Sequence, residues 1–236
     1  MKIQKQLQKM IGNNAHFLIP LFEPVSRIYI GWRYDSMDTE SVFTQIYKKN
    51  YWGGYSRSGP GSDLDQTKKI IKVIPKILEK IGAKSILDIP CGDFNWQKYM
   101  NLDSIDYVGA DIVPHMIETN NRLFSNTKRR FVKLDIRYDA LPECDLLFCR
   151  DLFQHLSFED ILNAISNIKS SNCRYLLASS QVNTNKNSDV ATGGWRKLNL
   201  LRPPFSFPQP ILKINEGCPV KYHADKSLVL WKIKDL

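Results

Sequence analysis

The segment ILDIPCGDFNW, residues 86–96, joins an apolar run to a short polar loop that contains a single glycine. Its apolar start is typical of a strand that is buried on both faces. Asp88 and Asp93 place one acid on either side of the turn, and Gly92 offers a backbone position without a Cβ, which a ligand can approach closely. The segment therefore predicts a buried strand that ends in a ligand-binding loop.

Strand-like and helix-like segments alternate on both sides of this loop. Apolar residues recur at helical spacing between Asp65 and Ile81, Pro114 suits the first turn of a second helix, and Ser157 is a candidate N-cap of a third. Strands are expected at residues 85–90, 107–112, 130–135, 144–150, 174–180, 211–215 and 227–233. The last two have no helix between them. This order predicts an α/β fold: a mostly parallel seven-stranded sheet with helices on both faces and a C-terminal antiparallel hairpin.

Composition and charge limit the function less than they limit the fold. The chain of 236 residues is 43% hydrophobic and 24% charged, as expected of one globular domain with an extension. A net charge of +9 favours an anionic partner, such as nucleic acid, a membrane surface or an acidic glycan. The basic residues are scattered along the chain, however, so a basic surface without a specific partner is an equal alternative.

The N-terminal segment and the cysteines bear on localisation. Three lysines precede the apolar residues 17–22, but Glu23 and Pro24 interrupt the run before a cleavage site, and it is too short to span a bilayer. Residues 1–45 are interpreted as a helical or irregular extension suited to peripheral membrane contact. Five cysteines without a CxxC pair argue against a disulfide framework and for a reducing compartment, so we expect a cytoplasmic protein.

Acids follow three neighbouring strands of the predicted sheet, at the edge where ligands of open α/β sheets bind. Asp88 and Asp93 flank the end of the first strand, Asp111 follows the second and Asp135 the third. Asp111 is placed to accept both hydroxyls of a ribose. The turn lacks two of the three glycines of dinucleotide-binding loops, and Asp93 would repel a phosphate. A cationic nucleoside without phosphate, such as S-adenosylmethionine, fits better; acids that cap the strand ends only for solubility are the alternative.

With these features, residues 64–236 resemble the class I S-adenosylmethionine-dependent methyltransferases. The resemblance implies a Rossmann-like fold, S-adenosylmethionine as cofactor and S-adenosylhomocysteine as product. It implies that Asp88 and Gly92 surround the methionine part, Asp111 the ribose, and Asp135 with Ile136 the adenine. Pro90, Asp93, Ile112 and Arg150 complete the cofactor-binding set that we predict in this domain.

A narrower resemblance rests on the segments IPCGDFNW, GADIVP, CRDLFQHLSFEDI, TGGWRKLNLLRPPF, INEGC and ADKSL. Together they are similar to a group of methyltransferases found with glycan-assembly enzymes. That similarity implies a role in polysaccharide biosynthesis and O-methylation of a sugar, for example a deoxyhexose. The expected partner is a glycan or glycolipid acceptor.

Methyl transfer to oxygen needs a base that removes the hydroxyl proton. Asp151 and His155 follow the fourth strand and are the candidate catalytic residues: Asp151 accepts the proton or orients His155. Both also have structural interpretations, as a partner of Arg150 and as a structural histidine. No dense cluster of carboxylates and histidines predicts a metal site.

Two glycine-rich segments are the candidate ligand-contacting loops. Residues 46–63 contain Trp52, Tyr55 and Arg57 and are interpreted as a flap over the cofactor, with Arg57 near its carboxylate; a flexible connector is the alternative. The loop around residues 192–196 offers an apolar face and guanidinium donors to an acceptor sugar. The predicted substrate-binding residues are Trp195, Arg196, Glu216 and His223.

Three other functions remain open at this stage. The charge permits a nucleic-acid methyltransferase, but the fourth strand ends in CRDLF rather than in the Asn/Asp-Pro-Pro-Tyr of amino methylation. A small-molecule methyltransferase and a non-catalytic cofactor-binding scaffold are further alternatives. The sequence leaves the acceptor sugar and the oligomeric state open.

Overall fold

The computed structural model describes residues 36–236 and contains the predicted seven-stranded sheet. Its strand order is β3-β2-β1-β4-β5-β7-β6. β7 runs antiparallel to both of its neighbours, and all other pairs are parallel, so the α/β prediction with its antiparallel C-terminal pair is confirmed. The strands are β1 (Ser85–Asp88), β2 (Asp106–Asp111), β3 (Arg129–Lys133), β4 (Leu146–Cys149), β5 (Tyr175–Gln181), β6 (Leu212–Asn215) and β7 (Lys226–Lys232).

The strand order shows where a ligand can bind at the edge of the sheet. From β1 the chain adds β2 and β3 on one side, then returns to place β4 and β5 on the other side. The connections after β1 and after β4 therefore leave the sheet in opposite directions. In open α/β sheets this reversal opens a crevice beyond the carboxyl ends of the strands. The loops that follow β1 and β4, which carry most of the predicted site, border this crevice.

Among residues 36–236, four α-helices cover the sheet: α1 (Thr39–Lys48), α2 (Leu64–Lys80), α3 (Pro114–Phe124) and α4 (Phe158–Ser170). α2 buries Ile70, Ile74 and Ile77, which recur at helical spacing. Pro114 opens α3, as predicted. The predicted N-cap of α4 is also confirmed, because the side chain of Ser157 accepts a hydrogen bond from the amide of Asp160.

Two hydrophobic cores lie on opposite faces of the sheet, since successive side chains of a strand point to opposite sides. β4 shows the alternation: Leu147 belongs to one core, and Leu146 and Phe148 to the other. All four residues of β4 are buried, as the CDLLFCR pattern predicts. The sheet is thus the middle layer of three.

The predicted boundary of the N-terminal extension falls inside a helix. The predicted extension ends at residue 45, but this position lies within α1, whose Val42, Phe43 and Ile46 are buried in the core. The apolar side of α1 therefore makes residues 39–48 part of the folded domain. Residues 1–35, including the apolar run at 17–22, lie outside the described residues. Within residues 36–236, no helix is both long and apolar enough to cross a membrane.

The cysteines are all free thiols. Cys144 and Cys173 nevertheless contact each other, with 2.8 Å between their sulfur atoms. The hydrogen bond from the Cys144 thiol lowers the pKa of Cys173 to about 7. These two residues precede β4 and β5, at the edge of the sheet opposite to the predicted ligand-binding loops.

Candidate active site

A cavity of about 1310 Å³ opens at the carboxyl ends of β1, β2 and β4. Ligand sites typically occupy roughly 300–1,000 Å³, so this cavity has room for more than one small molecule. All but three of the predicted site residues line it. The three exceptions are Asp93, Arg196 and Glu216.

Two residues of the turn after β1 adopt a positive φ, a backbone conformation that favours glycine. Gly92 has a φ of 58°, and Phe94 has a φ of 55°, which is uncommon for a bulky residue. Three aromatic rings surround the buried Phe94 side chain and hold it in this conformation. A Cβ at Gly92 would overlap with Oγ of Ser58. Gly92 therefore brings backbone without a side chain to the cavity, and Ser58 packs directly against it.

Asp88 ends β1 and is completely buried. Its Oδ2 accepts hydrogen bonds from the hydroxyl of Tyr107 and from Nε2 of Gln97, the latter at 3.1 Å. Its Oδ1 has no partner among the described residues. Burial raises the pKa of Asp88 to about 7, against the effect of these hydrogen bonds. A buried carboxyl oxygen without a partner, on a residue that lines the cavity, is suited to a polar ligand group.

Asp111 is the last residue of β2 and fixes the turn from the other side. Its Oδ2 accepts from the amide of Gly92 at 3.2 Å, and its Oδ1 from the amide of Val113 at 3.1 Å. Burial raises its pKa to about 6, although both hydrogen bonds act in the opposite direction. Each carboxylate oxygen has a second lone pair, so Asp111 keeps the capacity to accept two ligand hydroxyls. Ile112 lines the cavity next to it.

Asp135 lies two residues beyond β3 and is less available than predicted. Nε and Nη2 of Arg137 bind its two oxygens at 2.9 and 2.6 Å, and Arg137 also pairs with Asp160 at 2.6 Å. Asp135 still lines the cavity, as does the buried Ile136. Ile136 therefore offers an apolar surface there, while the Asp135 carboxylate is largely used within the protein.

Asp93 holds the predicted flap and does not line the cavity. Its carboxylate accepts from the hydroxyl of Ser56 at 2.9 Å and from the amide of Arg57 at 2.9 Å. The hydroxyl of Ser58 accepts from the Asp93 amide at 2.8 Å. These hydrogen bonds hold residues 56–58 over the turn, and contact between Asp93 and the cofactor stays a prediction.

The three predicted flap side chains occupy different positions. Trp52 lines the cavity with its ring centroid 4.5 Å from that of His155. Arg57 lies over the ring of Tyr47 at 5.6 Å and also borders the cavity. Tyr55 is at the rim, and its side chain is 99% exposed. The flap thus contacts both the turn after β1 and the candidate base.

Arg150 and Asp151, which follow β4, form a largely buried group of four charges with Glu216 and Lys226. Arg150 pairs with Glu216 at 2.8 Å and with Asp151 at 3.1 Å, and Lys226 pairs with Asp151 and lies 3.5 Å from Glu216. Burial alone would raise the pKa of Asp151, but the positive charges of Arg150 and Lys226 outweigh it and hold this pKa well below its usual range. Asp151 is therefore a stable anion and a poor proton acceptor.

His155 presents the contrasting case. Its Nδ1 lies 2.7 Å from the carbonyl oxygen of Gly194, which can only accept, so Nδ1 carries the proton. Burial lowers the pKa of His155 to about 4, although this hydrogen bond and the nearby Asp151 charge act in the opposite direction. The neutral ring then has an unprotonated Nε2, and His155 lines the cavity. This is the protonation state that a general base requires.

The predicted substrate-binding residues divide into two pairs. Trp195 and His223 line the cavity, with their ring centroids 5.1 Å apart. Arg196 is fully buried, and its Nη1 donates to the carbonyl oxygen of Phe153 at 2.6 Å. Glu216 is 1% exposed and pairs with Arg150. Packing and ion pairing enclose both side chains and neither lines the cavity, so their contact with the acceptor stays a prediction.

Several residues of the site were not singled out from the sequence. Gln97 and Tyr107 bind Asp88, Ser56 and Ser58 bind Asp93, and Lys226 binds Asp151. The two serines lie in the predicted flap and Lys226 lies in the ADKSL segment, so the sequence analysis had marked their segments but not these side chains.

Within residues 36–236, no group of three or more His, Cys, Asp or Glu side chains is arranged to hold a metal ion.

Several solved structures of methyltransferases are similar to this chain. The N-methyltransferase NodS from Bradyrhizobium japonicum WM9, solved with S-adenosyl-L-homocysteine, superposes with a TM-score of 0.59 at 13% identity, over 83% of this chain and 98% of NodS. The 1,6-didemethyltoxoflavin-N1-methyltransferase from Burkholderia thailandensis gives 0.54 at 14% identity, over 81% and 87%. The methyltransferase domain of a bacterial Hen1 protein matches at 0.44 and 15% identity, over 49% of this chain and 66% of that domain.

No protein-family model matches this sequence, and no curated protein matches it. The sheet order, with its antiparallel β7, and the superpositions agree with one another. The chain therefore has the Rossmann-like fold of the class I S-adenosylmethionine-dependent methyltransferases.

Proposed function

We propose that this protein is an S-adenosylmethionine-dependent O-methyltransferase that acts on a sugar hydroxyl of a glycan or glycolipid. The observation that carries the proposal is His155: a neutral imidazole with a free Nε2, in a cavity large enough for a cofactor and an acceptor. The fold and the resemblance of the motif set to glycan-assembly methyltransferases support the assignment.

The residues around the turn after β1 fit the cofactor. Gly92 provides close backbone approach, and Asp111 keeps lone pairs for ribose hydroxyls. Asp88 offers an unpartnered oxygen that suits a cationic amino group, and ionisation of Asp88 would then be favoured. Ile136 provides apolar surface for a base. When bound, S-adenosylmethionine supplies a methyl group made electrophilic by its sulfonium.

His155 is the proposed base. The Gly194 carbonyl fixes its tautomer, and the ring of Trp52 restricts its orientation. The loop that carries Gly194 is itself held by backbone hydrogen bonds, from the Gly193 amide to the carbonyl of His155 and from the Arg196 amide to the carbonyl of Gln154. Nε2 is then free to take the proton of an acceptor hydroxyl during methyl transfer. Asp151 stabilises the surrounding charges and does not take the proton.

Aromatic surfaces favour a sugar as the acceptor. Trp195, with the neighbouring rings of Tyr222 and His223, borders the same cavity as His155. Sugar rings present apolar C–H faces that pack on aromatic side chains and hydroxyls that need polar partners. Gln181 and Lys226 line the cavity and provide polar groups.

The test separates cofactor binding from methyl transfer. Calorimetry measures S-adenosylmethionine binding, and transfer of labelled methyl is measured to a panel of deoxyhexose glycosides, to nucleic acid and to protein. We compare His155→Asn, which keeps a donor near the Nδ1 position but lacks Nε2, with His115→Asn, a change at a side chain that is 68% exposed. We expect His155→Asn to lose about 10²–10⁴-fold in turnover with unchanged cofactor affinity, and His115→Asn to lose nothing.

Two results would overturn the proposal. Absence of S-adenosylmethionine binding would remove the enzymatic assignment altogether. Label that appears only in nucleic acid or protein would replace the acceptor class while the methyltransferase assignment remained.

A further inference from the structure

A second cavity, of about 600 Å³, lies beyond the carboxyl end of β5 and beside the β6–β7 pair. It differs from the large cavity in its lining, which is polar and basic. Three lysines contribute to it, and a single carboxylate does. The residues around it are Val182, Asn183, Thr184, Lys197, Lys213, Asn215, Lys221, Ala224, Asp225 and Ser227. We call this cavity the basic pocket.

The charges of the basic pocket are not balanced. Asp225 is already engaged, because Nζ of Lys197 lies 3.4 Å from its Oδ1 and the amide of Asn183 donates to its Oδ2 at 3.3 Å. Lys213 and Lys221 have no carboxylate within ion-pair distance anywhere in residues 36–236. Two like charges that share a concave surface favour an anion between them.

A hydroxyl in the lining points to the same kind of ligand. Oγ1 of Thr184 is buried and has no hydrogen-bond partner among the described residues. Buried polar groups without partners are uncommon, and because Thr184 lines the basic pocket, a ligand oxygen that enters beside it is the partner we infer for this hydroxyl. Thr184 therefore adds a neutral donor beside the lysines.

The basic pocket adjoins the large cavity. Lys221 lines both of them. Nζ of Lys197 lies 4.3 Å from the centre of the Tyr222 ring, which neighbours Trp195 at 6.1 Å. A sugar that packs on Trp195 in the large cavity can thus extend an anionic substituent past Lys221 into the basic pocket.

We propose that the basic pocket binds phosphate groups of the acceptor, so that the protein methylates a sugar carried on a phosphate or diphosphate. This inference rests on the proposed sugar methylation. Phosphate is favoured over a sugar carboxylate because it presents several oxygens and up to two charges, which match Lys213, Lys221 and the Thr184 hydroxyl. A nucleoside diphosphate and a lipid diphosphate share this chemistry.

The test uses inorganic pyrophosphate as the probe, with binding measured by calorimetry at about 50 mM salt, where charge screening is still weak. The double variant Lys213→Ala/Lys221→Ala is compared with Lys76→Ala/Lys169→Ala, which removes the same charge from exposed lysines on α2 and α4. Removing each charge-assisted hydrogen bond to the probe should weaken binding roughly tenfold to hundredfold. We therefore expect pyrophosphate affinity to fall at least about tenfold in Lys213→Ala/Lys221→Ala and to stay unchanged in Lys76→Ala/Lys169→Ala. The melting temperature should be unchanged in both variants.

UDP and geranyl diphosphate then identify the source of the phosphate. Tighter lysine-dependent binding of UDP indicates a nucleotide-linked sugar, and tighter binding of geranyl diphosphate a lipid-linked one; both support the inference. Equal loss of pyrophosphate affinity in the two double variants, or no binding to the native chain, overturns it. Because S-adenosylmethionine binding is measured separately, failure of the basic pocket and failure of the proposed methyl transfer give different results.

Discussion

Replacing Glu216 with Gln tests the buried charge group, since it removes one negative charge and changes the side-chain volume little. Two positive charges, Arg150 and Lys226, are balanced by Asp151 and Glu216. The Arg150 and Glu216 side chains are 4% and 1% exposed, so water cannot replace the missing partner. Glu216→Gln therefore leaves one uncompensated positive charge in the interior.

The expected cost follows from this burial. Removing one partner of a buried ion pair costs roughly 3–5 kcal/mol. Asp151 remains beside both cations and its side chain is 27% exposed, which argues for the lower end, about 3 kcal/mol. For a chain of this size each kcal/mol shifts the melting temperature by roughly 2–4 °C, so Glu216→Gln should lower Tm by about 6–12 °C.

The assay is urea unfolding followed by tryptophan fluorescence, with calorimetry for Tm. Asp106→Asn is the matched control, because it breaks the pair with Lys128, whose side chains are 63% and 54% exposed. Exposed pairs contribute roughly 0–1 kcal/mol. Equal stability losses in the two variants would refute the reasoning about burial. Unchanged stability of Glu216→Gln together with abolished acceptor binding would return Glu216 to the acceptor site.

Three further predictions concern the turn, the base and the thiols. Gly92→Ala should weaken S-adenosylmethionine binding at least about tenfold, because the new Cβ overlaps with Ser58 of the flap. The control is Gly82→Ala, which has a similar φ of 63° but open space around it, and which should cost about 1–2 kcal/mol of stability and leave cofactor affinity unchanged. Equal cofactor affinity in the two variants would contradict this prediction. Burial lowers the pKa of His155 from 6.5 to about 4, so the base loses its proton as pH rises through about 4. At saturating S-adenosylmethionine, when the cofactor already occupies the site of Asp88 and Asp111, kcat should therefore rise through about pH 4 and stay level towards pH 7; an acid limb of kcat near 6.5 would contradict this assignment. Mild oxidation with diamide should join Cys144 to Cys173, as peptide mapping would show, and a different pair would disprove the predicted proximity.

Features set by neighbouring residues could be predicted from the sequence. The spacing of Ile70, Ile74 and Ile77 predicts the buried side of α2, and Ser157 predicts the start of α4. The acids Asp88 and Asp111 end their strands within two residues of the predicted strand ends, and parallel strands bring these ends together at one edge of the sheet. Local periodicity thus predicted both the sheet and the position of the cavity.

Roles that depend on distant partners could not be predicted in this way. Glu216 and Arg196 carry side chains suited to an acceptor, yet Arg150, 66 positions away from Glu216, draws that carboxylate into the interior. Arg196 reaches the carbonyl of Phe153, 43 positions away. Neither interaction leaves a periodic signal, since a single ion pair or hydrogen bond constrains only two positions.

The sequence by itself determined the succession of strands and helices along the chain and the loops that border the ligand-binding edge. It also determined the pair of candidate bases, Asp151 and His155. Only the tertiary structure sets the protonation states of these two, on which the proposal of His155 as the base rests. Lys226, 75 positions from Asp151, holds that carboxylate as an anion, while burial keeps His155 neutral and the Gly194 carbonyl fixes its tautomer. Protonation depends on the charges and the solvent around a group, and those are set only when distant segments pack together.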